Sequence, residues 1–139
     1  MNKRSFGHIG EASAAIFLEQ QGFEVIGKNV YVGHCEIDVL ATNGDLLLFV
    51  EVKTRRQVPD THSFYGRPAS AVTATKRKNL LDAARRYLYE NREQTKMLQP
   101  RIDIIEVYVD PSSPTYKVLD IRHFPNAVHG LGRQGFELL

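Results

Sequence analysis

The segment Thr42-Asn43-Gly44-Asp45 constrains this chain more than any other, because it separates two apolar runs, Cys35 to Ala41 and Leu46 to Thr54. Asn-Gly between apolar runs is a strong hairpin signal, since both central residues of a two-residue turn need positive φ. Such a turn pairs Thr42 with Asp45. Glu36 then faces Glu51, Asp38 faces Phe49, and His34 faces Lys53. Side chains alternate across a strand, so Cys35, Ile37 and Val39 join Leu46, Leu48, Val50 and Val52 on one apolar face, which must be core. Glu36, Asp38, Glu51 and Lys53 share the other face. A slip of one residue would destroy this convergence.

Three carboxylates clustered on a sheet repel one another, and burial raises their pKa values. A divalent cation relieves both costs. A ligand set of oxygens, without a His or Cys pattern, favours Mg²⁺ or Mn²⁺ over zinc. Lys53, two residues after Glu51, points to the same side and can stabilise an anionic reacting group. Metal, carboxylates and lysine together suit phosphodiester hydrolysis. The bland alternative is a charged, solvated sheet face.

The remaining pattern supplies a frame for this hairpin. A helix is predicted from about Gly7 to Gln21, on the spacing of Ile9, Ala12, Ala15, Ile16 and Leu18, with Gly22 as its C-cap. Glu11 shares a face with Ala15 and Leu18, where a carboxylate needs a partner or a function; a first-turn acid favoured by the helix dipole is the plain reading. A strand follows from Phe23 to Tyr31, with Gly27 as a bulge. Arg56 to Pro68 reads as a loop. Thr73 caps a long helix from Ala74 to Asn91. Strands are expected over Ile102 to Val109 and Tyr116 to Phe124, and the tail from Pro125 reads as irregular. The order is α-β-β-β-α-β-β, an α/β fold with a mixed sheet flanked by helices. At 139 residues one domain is the default, with its core over about residues 7–124.

Charge is uneven. From Lys53 to Arg92, ten basic residues stand against three acidic ones, a local net of +7 in a chain whose formal net charge is +2. A middle third this basic fits a polyanionic partner; a solvated helix face fits it equally. Arg55 and Arg56 leave the end of the acidic strand and Lys76 and Arg77 open the basic helix, all in reach of a phosphate backbone. Tyr65 could stack on an unpaired base, although loop packing is the simpler role. Asp103 opens a strand, as a supporting acid or as an edge residue. The five histidines have no ligand spacing, and the lone Cys35 excludes a disulfide framework. No Gly-rich phosphate loop calls for a nucleotide cofactor. No apolar run approaches the ~20 residues of a membrane span, and no signal peptide is visible, so a cytoplasmic protein is expected.

At these residues the chain resembles a known superfamily. Ile37-Asp38 followed by Glu51-Val52-Lys53 matches the PD-(D/E)XK nuclease signature. More widely, Gly10-Glu11-Ala12, Glu36-Ile37-Asp38, Leu48 through Arg55, Tyr65-Gly66-Arg67-Pro68, Ala71-Val72-Thr73, Lys76 and Arg101-Ile102-Asp103 resemble the YraN family of bacterial endonuclease-like proteins, similar to archaeal Holliday-junction resolvases. The resemblance implies a restriction-endonuclease-like core. It implies Asp38, Glu51 and the Val52 carbonyl as metal ligands, Lys53 as the catalytic lysine, and Glu11 as an added acid near the metal. Glu36 belongs to the motif with its role open. DNA is the implied substrate, branched or otherwise structured, and nothing in the residues separates it from RNA. A junction resolvase would need two active sites and hence a homodimer. The alternative is a non-catalytic nucleic-acid-binding module that uses the same basic surface.

Overall fold

A computed structural model describes residues 3–57 and 72–132. Tyr65, Gly66, Arg67, Pro68 and Ala71 lie outside the described residues. The elements are α1 (Lys3–Gln20), β1 (Glu24–Val32), β2 (Cys35–Thr42), β3 (Leu46–Arg56), α2 (Ala74–Glu90), α3 (Arg92–Thr95), β4 (Gln99–Val109) and β5 (Val118–Val128). The five strands form one sheet in the order β1-β2-β3-β4-β5. β3 and β4 are parallel and every other pair is antiparallel. This is the mixed sheet flanked by helices in the order α-β-β-β-α-β-β, with α3 as one added turn. No helix among the described residues is long and apolar enough to cross a membrane.

Each helix covers one face. Phe6, Ala14 and Leu18 of α1 pack on Val39, Ala41, Leu48, Val50, Val52, Ile105 and Val107. Leu80, Ala83, Ala84 and Leu88 of α2 pack on Ile37, Leu40, Leu47, Phe49 and Ile102. Each fully buried leucine contributes about 1.5–3 kcal/mol of hydrophobic stabilisation, so these two layers fix the sheet between its helices. The start of α1 lies a turn earlier than its periodicity predicts, because Phe6 belongs to the core and carries the Arg56 guanidinium over its ring at 5.0 Å. Its end follows the Schellman pattern: Gly22, at φ +94°, donates to Glu19, and Phe23 donates to Leu18. Thr73 caps α2, its hydroxyl accepting from the Lys76 N–H at 3.1 Å.

The hairpin differs from the sequence expectation in its turn. Thr42 pairs with Leu47, and Val39 with Val50. Four residues, Asn43 to Leu46, therefore make the connection. Asn43 Oδ1 accepts from the N–H groups of Asp45 and Leu46, a side chain standing in for backbone. Only Gly44 has positive φ, +95°. The register moves by two residues, an even number, so each side chain of the paired segment keeps its expected face.

β5 also runs further than expected, through Pro125 to Val128. It is an edge strand, where proline costs no ladder bond toward solvent. Asn126, at φ +54°, sits at an irregularity in the pairing, and its N–H donates to Asp103 Oδ1 instead of to a strand. Asp103 is therefore no strand opener. It lies inside β4, fully buried, gripped by Arg101 through two bonds (2.8 and 2.9 Å) and by His123 Nε2 at 2.7 Å. The His123 ring meets Phe17 of α1 edge-on. This polar clamp ties β4, β5 and α1 together.

Candidate active site

The site forms where β2 leaves β3. The ladder between them extends from Thr42 and Leu47 to Val39 and Val50. At the next step the Asp38 side chain replaces a strand partner, its Oδ2 accepting the Val52 N–H at 2.8 Å. Here β2 also turns over. Val39 packs with the α1 side of the sheet, whereas Ile37 packs with the α2 side. The expected single apolar face holding Cys35, Ile37 and Val39 together is thus divided at Asp38, because a strand released from its neighbour no longer keeps the neighbour's alternation.

The turnover brings Asp38 and Glu36 toward α1. Carboxylate oxygens of Glu11, Glu36 and Asp38 lie within 4.8 Å of one another. Asn29 organises two of them, its Nδ2 donating to Glu11 Oε1 and to Glu36 Oε1, both at 3.0 Å. Asn29 holds φ +51° inside β1, a conformation that asparagine tolerates better than most residues. Gly27, two residues earlier, follows a bulge and leaves no room for a side chain: a Cβ there would stand 2.8 Å from Val30 Cγ2. Bonds from the Tyr31 hydroxyl and the Asn29 amide hold the Glu36 carboxyl below its ordinary range. Asp38 behaves in the opposite way. Burial first, and then the Glu51 charge, push its carboxyl up to about 8 against the bond from Val52.

Glu51 is buried as well, 6% exposed, and its Oε2 accepts no hydrogen bond among the described residues. Lys76 Nζ stands 3.2 Å from that oxygen. Burial pulls the Lys76 ammonium down, but the Glu51 carboxylate, joined by Cys35 and Asp38, outweighs it and leaves the ammonium above its usual value. The acids therefore fall into two groups in electrostatic contact: Glu11, Glu36 and Asp38 around Asn29, and Glu51 against Lys76.

By the alternation that puts Leu47 and Phe49 under α2, Glu51, Lys53 and Arg55 share that face. Lys53 is half-buried and forms no ion pair among the described residues. Beside it in register lies Glu106 of β4, 1% exposed, which accepts from the Tyr108 hydroxyl and approaches Arg55 Nη2 at 3.5 Å. Arg56 projects to the other side, over Phe6. Arg77 turns back to donate to the Val72 carbonyl at 3.0 Å. Tyr65, read as a loop-packing or base-stacking residue, lies outside the described residues.

Sequence reasoning passes over Asn29 and Glu106. Asn29 has a readable signal, a short amide two residues after a glycine at an expected bulge. Glu106 has none, because an acid within an apolar strand becomes meaningful only when β4 is known to lie parallel to β3.

The donor set suits a hard cation. Every candidate is an oxygen, and oxygens on opposite sides of an ion bound at about 2.0–2.6 Å lie about 4–5 Å apart; those of Glu11, Glu36 and Asp38 lie within 4.8 Å of one another, close enough to share one ion.

Comparison with known proteins places these residues in a wider group. Residues 10–107 match the model of "Uncharacterised protein family UPF0102". A UPF0102 protein of Caldicellulosiruptor saccharolyticus is 36% identical over 127 residues, covering 91% of this chain and 99% of its own. One from Dictyoglomus turgidum is 34% identical with the same coverage, and one from Symbiobacterium thermophilum is 39% identical over 126 residues, covering 91% and 98%.

Proposed function

The chain belongs to the uncharacterised protein family UPF0102, and from its site we propose that it is a divalent-metal-dependent nuclease that hydrolyses phosphodiester bonds in DNA. One observation carries the reading. Glu11, Glu36 and Asp38 gather at the point where β2 parts from β3, and the buried Glu51, paired with Lys76, is near enough to raise the Asp38 carboxyl. Such an array is unfavourable without a cation, and its shape and hardness suit Mg²⁺ or Mn²⁺. The resemblance to PD-(D/E)XK nucleases selects Asp38, Glu51 and Glu11 among these, with the Val52 carbonyl as a further oxygen, and leaves the role of Glu36 open.

A bound Mg²⁺ or Mn²⁺ would neutralise phosphate charge and lower the pKa of attacking water. The chain's own groups divide the remaining work. Asp38 and Glu11 would hold the ion, with Glu36 fixed beside them by Asn29, and Glu51 would approach it from the Lys76 side. Lys53, on Glu51's face, donates to a phosphate oxygen as negative charge grows there. Lys76 pairs with Glu51 at 3.2 Å and aims its carboxylate. Arg55, on the Lys53 face, makes salt-sensitive backbone contacts that position the strand without reading its sequence, whereas Arg56 and Arg77 are turned to Phe6 and to the Val72 carbonyl.

Branched DNA is the favoured substrate class on the resolvase resemblance, which calls for a homodimer. The test is cleavage of labelled single-stranded, duplex, flap and four-way-junction DNA in Mg²⁺, Mn²⁺ or EDTA, beside Glu51→Gln. Metal-dependent cutting that the variant lacks is expected. Tight binding that is indifferent to metal, with no cutting of any substrate, would replace the enzyme with a DNA-binding module. Sedimentation with junction DNA tests the dimer, and a strict monomer would contradict junction resolution.

A further inference from the structure

A cleft of about 510 Å³ lies between the β1–β2 turn and the outer side of α2, and it meets the acidic site at Glu36 and Lys76. Its volume falls in the range of about 300–1,000 Å³ typical of small-molecule sites. Val32 and Ala83 give it an apolar wall, while His34, Asn79 and Arg86 supply polar groups. Asp82 also borders it, but that carboxylate is engaged by Lys78 at 2.7 Å and by Arg85 at 3.9 Å. Arg86 pairs with Glu90 through Nε and turns Nη1 toward the tight turn at Gly33. Gly33 has φ +62°, and a Cβ there would stand 2.9 Å from that nitrogen. The glycine thus lets the guanidinium lie against the mouth of the cleft.

An apolar wall with hydrogen-bonding groups at its rim fits a nucleobase better than a phosphate alone. A base within a duplex keeps both faces stacked and its pairing edge occupied, so only an unpaired nucleotide can enter a pocket of this kind without paying for unstacking. We propose that this cleft receives an unpaired nucleotide of the DNA strand whose neighbouring phosphate lies at the acidic site. The placement next to the scissile phosphate rests on the nuclease reading; the binding of the nucleotide does not. The consequence is selection for single-stranded or branched DNA over continuous duplex.

The test is fluorescence anisotropy of a labelled single-stranded oligonucleotide and its duplex, in EDTA at one fixed salt concentration. Wild type is compared with Asn79→Phe, which fills the cleft from an exposed position, and with Arg86→Ala. Wild type is expected to bind the single strand at least about tenfold more tightly, equivalent to about 1.4 kcal/mol. Asn79→Phe should bring that ratio close to one while leaving duplex affinity unchanged, and Arg86→Ala should reduce it. Equal affinities in wild type, no binding to either form, or a ratio that survives both substitutions would overturn the proposal. A cleft-dependent preference in a protein that cuts nothing would overturn the nuclease reading alone. Cutting without a cleft-dependent preference would overturn the cleft alone.

Discussion

The Asp38 carboxylate occupies the place of a strand partner for Val52: its Oδ2 accepts the Val52 N–H at 2.8 Å where the β2–β3 ladder has ended. One side chain thus closes the sheet on one side and faces the acidic cluster on the other. These two duties conflict electrostatically. Burial and Glu51 resist the charge that the cation requires.

That conflict has a pH dependence. The Asp38 carboxyl is raised from 3.8 to about 8 by the fold. Its ionisation therefore opposes folding, and the cost grows as pH rises from the unfolded value toward the folded one. Asp38→Asn retains an acceptor for Val52 and removes the charge. It is expected to raise the stability of the metal-free protein near pH 8 by on the order of 1–3 kcal/mol, with little change near pH 4. Thermal melts in EDTA at the two pH values check this; equal effects at both would contradict it.

Cation binding must deprotonate Asp38 whenever the pH lies below about 8. Mg²⁺ or Mn²⁺ binding at neutral pH should release close to one proton, and the release should fade above that value. Calorimetric titration in two buffers of different ionisation enthalpy measures it. A heat independent of the buffer at neutral pH would count against ligation by Asp38.

Asn29 aims two carboxylates without being a ligand in this account. Asn29→Gly preserves the positive φ and removes both bonds. The fold should survive, while cation affinity should drop by about 10–100-fold, as for other residues that orient ligands. Unchanged affinity in a folded variant would show that Glu11 and Glu36 need no such support.

Asp103 is stabilising where Asp38 is strained. Burial opposes its charge, but the bonds from His123, Arg101 and Asn126 outweigh this and hold its carboxyl below the ordinary range. Its contribution is present above the unfolded value of 3.8 and is lost as pH falls through the folded one. Asp103→Asn should cost about 3–5 kcal/mol at neutral pH, because Arg101 loses its buried partner, and should flatten the acid limb of the stability profile. Melting temperatures across the acid range would reveal either result.

Much of this arrangement was legible in the sequence, for local reasons. Gly22, Thr73 and the apolar alternation of β2 and β3 state their roles within a few residues. The hairpin turn differs in type from the Asn-Gly expectation, and the faces of Val39 to Thr42 and Leu47 to Val50 keep because the register differs by an even number, whereas beyond Val39 the expected face is divided. What escaped depends on distant partners. Asn126 looks like tail until Asp103 accepts its N–H from 23 residues away. Pro125 looks like a stop until β5 is known to be an edge strand. The grouping of Glu36 and Asp38 with Glu11 instead of with Glu51 follows from β2 turning over at Asp38. Strict alternation along a strand cannot foresee this.

The proposed chemistry depends on a divalent cation held by the acids at this parting of strands. Mn²⁺ titration followed by electron paramagnetic resonance, on wild type beside Asp38→Asn, addresses it most directly. Wild type should take up Mn²⁺ at a saturable site that Mg²⁺ displaces, and Asp38→Asn should lose that site while remaining folded. Absence of saturable binding in wild type, or equal binding in the variant, would contradict the account.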